Sequence, residues 1–226
     1  MAVSLAHAHT HSFTIEKAME MIHSRESAAQ ELAQRLQKYK GTDGVVLAIP
    51  RGGVPVAAPI AKSLGMPLEV TLTKKIGHPA NPEFAIGSVS LKSVAVDERA
   101  EVPDEYVIAE VQRIRESLKE KYKLFMGNRT HVPLKDKTVI IIDDGIATGK
   151  TLEATVKLVK TEHPKKIVIA VPVAPPEAVR RFKQMVDEVV CLLTPPFFQA
   201  VGQFYEEFYQ TSDEEVIQLL QEQDKV

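Results

Sequence analysis

The chain of 226 residues contains a single cysteine and no tryptophan. A lone thiol excludes an intramolecular disulfide and a zinc site built from cysteines. Cys191 lies in the apolar run Val189–Leu193, where it reads as a small buried hydrophobe rather than an accessible, activated nucleophile. No apolar stretch approaches the roughly 20 residues that cross a bilayer, so no membrane partner is expected. The first residues, MAVSLAHAHTHSF, lack the basic and long apolar regions of a secretory signal. Basic runs are absent too: 28 Lys and Arg against 30 Asp and Glu leave a formal charge of −2, and no nucleic-acid partner is expected. A cytoplasmic location follows as the expectation. With 44% hydrophobic and 26% charged residues, the composition suits one globular domain with a small appendage.

What is present is an alternation of short apolar runs and amphipathic stretches. Helical spacing runs from Ser24, a plausible cap, to Tyr39 before Gly41. Val45–Ile49 is a continuous apolar run, the pattern of a strand buried on both faces, and it ends in Pro50-Arg51-Gly52-Gly53. A helix over 54–64 and a strand over 68–73 follow. Lys74–Asn81 is weakly patterned, and 85–91 with 94–96 reads as a short antiparallel pair. A long helix over 103–126 carries Val107, Val111, Ile114, Leu118, Tyr122 and Phe125 on one stripe. Strands are expected over 139–142, 167–171 and 189–193, with helices over 151–160 and 177–185. The class is α/β, a Rossmann-like, mainly parallel sheet flanked by helices, and ligands of such sheets bind beyond the carboxyl ends of the strands.

The most informative segment is VIIIDDGIATGKT, Val139 to Thr151. A glycine-containing turn from strand to helix presents backbone N–H groups at the positive end of a helix dipole, which suits phosphate. Carboxylates repel phosphate, so Asp143 and Asp144 require a different partner. Ionised carboxylates only accept hydrogen bonds, and the vicinal hydroxyls of a ribose are suitable donors. One ligand satisfies both halves: a ribose with its 5′-phosphate in the loop and its diol over the aspartates. The nucleotide P-loop is a near match only, because three residues rather than four separate Gly145 from Gly149.

These residues resemble the phosphoribosyl pyrophosphate (PRPP) motif of the type I phosphoribosyltransferases. The resemblance implies that Asp143 and Asp144 hold the ribose hydroxyls and take part in catalysis, and that PRPP lies along Asp143, Asp144, Gly145, Ile146, Ala147, Thr148, Gly149, Lys150 and Thr151. Pro50-Arg51-Gly52-Gly53 is similar to the family's pyrophosphate loop, with Arg51 supplying a forked cation. Lys74-Lys75-Ile76-Gly77-His78-Pro79 is similar to the start of the mobile loop of adenine-type members, which implies pyrophosphate contacts from Lys74 and Lys75 and a catalytic part for Lys75. Thr194–Tyr205 loosely resembles the hood segment of purine-type members, with Phe197, Phe198 and Tyr205 as candidates for an acceptor pocket. The resemblance further implies Mg2+, carried mainly by PRPP and near Asp143 and Asp144, and a homodimer.

By the same resemblance the chain divides into an N-terminal segment at 1–23, a core at 24–193 with a mobile loop at about 74–96, and a hood segment with a helix at 194–226. The expected activity is transfer of ribose 5-phosphate from PRPP to a nitrogenous base, with a purine in view, and release of pyrophosphate. Oxopurine-specific members carry an acid where this chain has Ala147, so the acceptor and the general base stay open. The alternatives are a PRPP-binding regulatory protein with little turnover, or a related sugar-phosphate hydrolase or phosphorylase. His7, His9 and His11 read as a mobile tail, and His131 and His163 fall in loops without a partner signal.

Overall fold

The computed structural model describes residues 21–97 and 99–223. In chain order they form α1 (Arg25–Arg35), β1 (Gly44–Ala48), α2 (Gly53–Leu64), β2 (Leu68–Val70), β3 (Lys74–His78), β4 (Asn81–Val89) and β5 (Val94–Val96). Then come α3 (Asp104–Met126), β6 (Thr138–Ile142), α4 (Lys150–Lys160), β7 (Lys166–Val173), α5 (Pro176–Lys183), β8 (Glu188–Leu193) and α6 (Asp213–Gln223). Ser24 caps α1 through the Ser27 N–H, and α2 closes on Gly65 in the left-handed conformation, as their sequence signals require. The first helix stops four residues earlier than its periodicity suggests, because 37–39 tighten into a 3-10 turn.

Five parallel strands form the main sheet in the order β2-β1-β6-β7-β8. Every residue of β1 and β6 is buried, which is why both read as unbroken apolar runs. Alternate residues serve opposite faces. Val46, Ala48, Ile140 and Ile142 join the core beneath α1, α2, α3 and α6, while Val45, Leu47, Val139 and Ile141 pack with α4 and α5 around Leu152, Val156 and Phe182. The strand order reverses between β1 and β6, and the helices that follow them leave on opposite faces. A crevice therefore opens beyond the carboxyl ends of these two strands.

The segment at 74–96 forms a separate three-stranded antiparallel sheet, β3-β4-β5. Its first part reads as weakly patterned in sequence because half of β3 and the first five residues of β4 are exposed, so no apolar alternation marks them. Backbone pairing makes these strands, with register shifts around Gly77 where Pro82 passes too close for a side chain. A third apolar cluster joins Ile22, Ala28, Val173, Phe204 and Tyr205, tying the described start of the chain to the segment after β8. His7, His9 and His11 lie outside the described residues.

One buried acid escaped the sequence reading. Glu69, 3% exposed in β2, accepts hydrogen bonds from the Tyr122 hydroxyl at 2.8 Å and the Val132 N–H at 3.2 Å. His131, which carries no partner signal in sequence, stacks on Tyr122 and places Nδ1 3.3 Å from Glu69. A buried carboxylate that loses a donor bears a desolvation cost of about 1–3 kcal/mol. Tyr122→Phe is therefore expected to lower the unfolding free energy by about that amount, measured by denaturant titration; an unchanged midpoint would show that the hydroxyl contributes nothing.

Candidate active site at the reversal of the sheet

Two loops meet where the sheet order reverses. The first follows β1, and Ile49 donates to the Ile142 carbonyl at 2.9 Å, so the end of β1 is tied to the end of β6. The chain then turns through Pro50–Arg51, a cis peptide, into Gly52 and Gly53. Glycine is required here by contact. A Cβ on Gly53 would lie 2.7 Å from the Ile142 carbonyl, and one on Gly52 would collide with the Asp144 carboxylate. The turn and the acidic pair are thus packed backbone against side chain.

The second loop starts with Asp143 and Asp144. The Asp144 N–H donates to Asp143 Oδ1 at 2.9 Å. Arg25, from the first turn of α1, donates through Nε and Nη2 to Asp144 Oδ2 at 3.0 and 2.7 Å. The Tyr205 hydroxyl donates to the Asp144 carbonyl at 2.7 Å. Ile146 anchors the loop: its side chain is buried and its N–H donates to the Val173 carbonyl at 2.9 Å. Beyond it Ala147, Thr148, Lys150 and Thr151 are exposed, at the amino-terminal end of α4. Gly149 holds φ 72°, and a side chain there would strike Arg181 and Phe182. Arg181 also donates to the Thr148 carbonyl at 2.8 Å, holding the turn open toward solvent.

Lys74 and Lys75 project from β3. Lys74 donates to Ser117 of α3 at 2.8 Å, and Lys75 pairs with Glu83 at the same distance, which pulls the Glu83 carboxyl below its ordinary range. Both lysines line a cleft of about 630 Å3 together with Gly87, Arg99, Lys150 and Thr151. The structure therefore brings three of the four sequence segments together: the PRGG turn meets the acidic pair, and the lysines of β3 share a cleft with the start of α4. The aromatic segment is split. Phe197 is 86% exposed, whereas Phe198 packs on Phe204 with ring centroids 5.0 Å apart, and Tyr205 is buried against the acidic loop.

Several neighbours carry no local sequence signal. Arg25 reads as an ordinary first-turn residue, Phe208 and Tyr209 as tail aromatics, and Asp213 as the start of a helix. Yet Arg25 lies over Phe208, 4.1 Å from its ring centroid, and Asp213 stands 3.8 Å from Arg51. Cys191 behaves as the sequence suggests: burial pushes its thiol up to about 11, far from an activated thiolate.

The parallel sheet of this order, with an acidic pair at its reversal and a glycine turn packed against that pair, carries a sequence match to the phosphoribosyl transferase domain. The chain belongs to that family, whose model matches residues 14–208. It is 41% identical over 207 residues to proteins of Mycobacterium tuberculosis named "Putative phosphoribosyl transferase Rv0571c" (strain ATCC 25618 / H37Rv) and "Putative phosphoribosyl transferase MT0597" (strain CDC 1551 / Oshkosh). The match covers 89% of this chain and 47% of each relative, so the chain spans about half the length of the curated relatives it matches. Among solved structures, TT1426 from Thermus thermophilus is 39% identical, with a TM-score of 0.79 over 89% of this chain and 98% of that one.

The electrostatics of the acidic pair are unbalanced. Burial, reinforced by the charge of Asp144, pushes the Asp143 carboxyl well above the ordinary carboxylate range, while the Asp144 N–H and Arg25 oppose the rise. The folded protein thus binds this proton more tightly than the unfolded chain. The associated stability is present below the ordinary carboxylate range and is lost as pH rises through the raised value. Asp143→Asn cannot ionise, so its melting temperature is expected to gain on the wild type as pH rises from 4 to 8 in chelator-containing buffer. A difference that stays constant with pH would contradict the raised value.

Proposed function

We propose that the protein transfers the ribose 5-phosphate group of PRPP to a nitrogenous base, releasing pyrophosphate. The observation that carries this reading is the packing of the PRGG turn directly against Asp143 and Asp144, beside an exposed turn at the amino end of α4, in a chain of the phosphoribosyl transferase family. Phosphate and diol call for opposite electrostatics, and here donors and carboxylates are only a few residues apart. In this reading Asp143 and Asp144 accept the ribose hydroxyls, and the turn from Ala147 to Thr151 receives the 5′-phosphate.

In the reaction, the bond from the ribose C1 to pyrophosphate breaks and its electron pair leaves with pyrophosphate. A nitrogen lone pair of the base forms the new bond to C1, and the displaced proton passes to solvent. Arg51, the Gly52 and Gly53 turn, Lys74 and Lys75 would neutralise the leaving group. The donor set also suits a hard cation, since both acidic side chains offer oxygen. Among the described residues no group of three or more His, Cys, Asp or Glu side chains is arranged to hold a metal ion, so Mg2+ at Asp143 and Asp144 would complete its shell from ligand oxygens and water. When bound, it supplies charge neutralisation to the departing pyrophosphate. Of the three hood rings, Phe197 is the one whose faces are open to an acceptor.

A second reading, a PRPP-binding regulatory protein, is favoured by Ala147. This exposed methyl stands where oxopurine-specific members carry an acid, and a methyl cannot take a proton from the acceptor. Incubation with PRPP and Mg2+ over a panel of purines and pyrimidines, read as pyrophosphate release, separates the two. Release with at least one base, abolished in Asp143→Asn and Asp144→Asn, is the expected result. Tight PRPP binding without release would favour the regulatory reading, and release without any base would indicate a hydrolase.

A further inference from the structure

Arg25 is 6% exposed, an unusual position for a guanidinium unless all of its donors are engaged. Nε and Nη2 both reach Asp144 Oδ2, and Nη1 donates to the Tyr209 carbonyl at 2.9 Å. One face of the cation is covered by Phe208. Phe208 is held in turn against Gly202, where a Cβ would sit 2.7 Å from the ring, and it lies 5.1 Å from the Tyr205 ring. The chain segments that supply this arrangement are zipped together. Ile22 donates to the Phe204 carbonyl and accepts from the Glu206 N–H, at 2.8 and 2.9 Å, and His23 pairs with Glu206 at 2.7 Å.

We infer that Arg25 is a positioning residue for the sugar site, holding the Asp144 carboxylate in the orientation that receives a ribose hydroxyl. This rests on the reading of Asp143 and Asp144 as the diol site. Several features distinguish it from a cation that only stabilises the fold. A buried ion pair is a weak source of stability, because desolvation offsets its Coulomb attraction. The two donors converge on Oδ2 alone, which holds that oxygen and leaves Oδ1 unengaged by Arg25. The Tyr205 hydroxyl restrains the same residue from its backbone side. Asp144 is thereby set from both ends by residues that come from outside the loop bearing it, so the segments at 22–25 and 204–209 act on the sugar site through one residue.

The test compares two ligands. Wild type, Arg25→Lys and Arg25→Ala are titrated calorimetrically with PRPP plus Mg2+ and, separately, with pyrophosphate in chelator-containing buffer, so that no metal links pyrophosphate to Asp144; melting temperatures check folding. Pyrophosphate carries no ribose, so a positioning effect spares it. Losing a charge-assisted bond that orients a ligand contact is expected to weaken PRPP binding by about tenfold or more in Arg25→Ala, and less in Arg25→Lys, with pyrophosphate affinity within about twofold of wild type. Equal loss for both ligands, or no loss for either, would overturn the inference. If Arg25→Ala does not fold, Tyr205→Phe is read in the same way, with a smaller loss confined to PRPP expected and an unselective or absent loss counting against. Failure of the wild type itself to bind PRPP would instead sink the diol reading.

Discussion

Two adjacent carboxylates stand at the end of a strand whose every residue is buried, and most of the surrounding architecture follows from accommodating them. They repel each other, and one is partly starved of water, as the raised Asp143 shows. The structure answers with a cation from a distant helix, a phenol on the neighbouring carbonyl and a glycine turn that lets backbone come within contact of the acid. Replacing Arg25 by an apolar side chain would leave a carboxylate without its cation, replacing Tyr205 by Phe would leave the Asp144 carbonyl without that donor, and a side chain at Gly52 would strike the Asp144 carboxylate.

The sheet order supplies the place where this is feasible. β1 and β6 are neighbours whose following helices depart on opposite faces, so the loops after them meet at the reversal of the sheet, the place where sheets of this kind take ligands. The amino end of α4 and the cations on β3 share one cleft, and the acidic pair stands at the start of the loop that leads into α4. Under the proposed function such a division receives a ligand that is anionic at its ends and hydroxylated in its middle. The small antiparallel sheet adds lysines to that region and gives Ile76, Ile86 and Val89 to the core, while Lys74, Lys75 and the first five residues of β4 stay exposed.

The same economy explains the aromatic residues near the end of the chain. Phe204 and Tyr205 are nearly fully buried and bind the described start of the chain to the segment after β8, while Phe208 covers Arg25. Rings that look alike in sequence thus serve as plug, hydrogen-bond donor and lid over a cation, and Phe197 alone of the expected trio projects freely. Their roles depend on which backbone passes beside them.

Local chemistry made much of this legible in advance. Unbroken apolar runs at 45–49 and 139–142 mark strands buried on both faces, because only backbone pairing and two packed layers tolerate such runs. The acidic pair beside a glycine turn is legible as a candidate site because its donors and acceptors come from consecutive residues. Arg25 was not legible: nothing within several residues distinguishes it from a surface arginine, and its partner lies more than a hundred positions away. Nor was Glu69, whose partners come from α3 and the loop after it, nor the strands at 74–82, which are made by pairing rather than periodicity. Short-range order of polar and apolar groups determined most of the elements and the candidate ligand-binding segment, because those depend on neighbours along the chain. Which charges are paired, which rings are covered and which oxygen of Asp144 is held were decided only by tertiary structure, because burial and long-range hydrogen bonds exist only once distant segments meet.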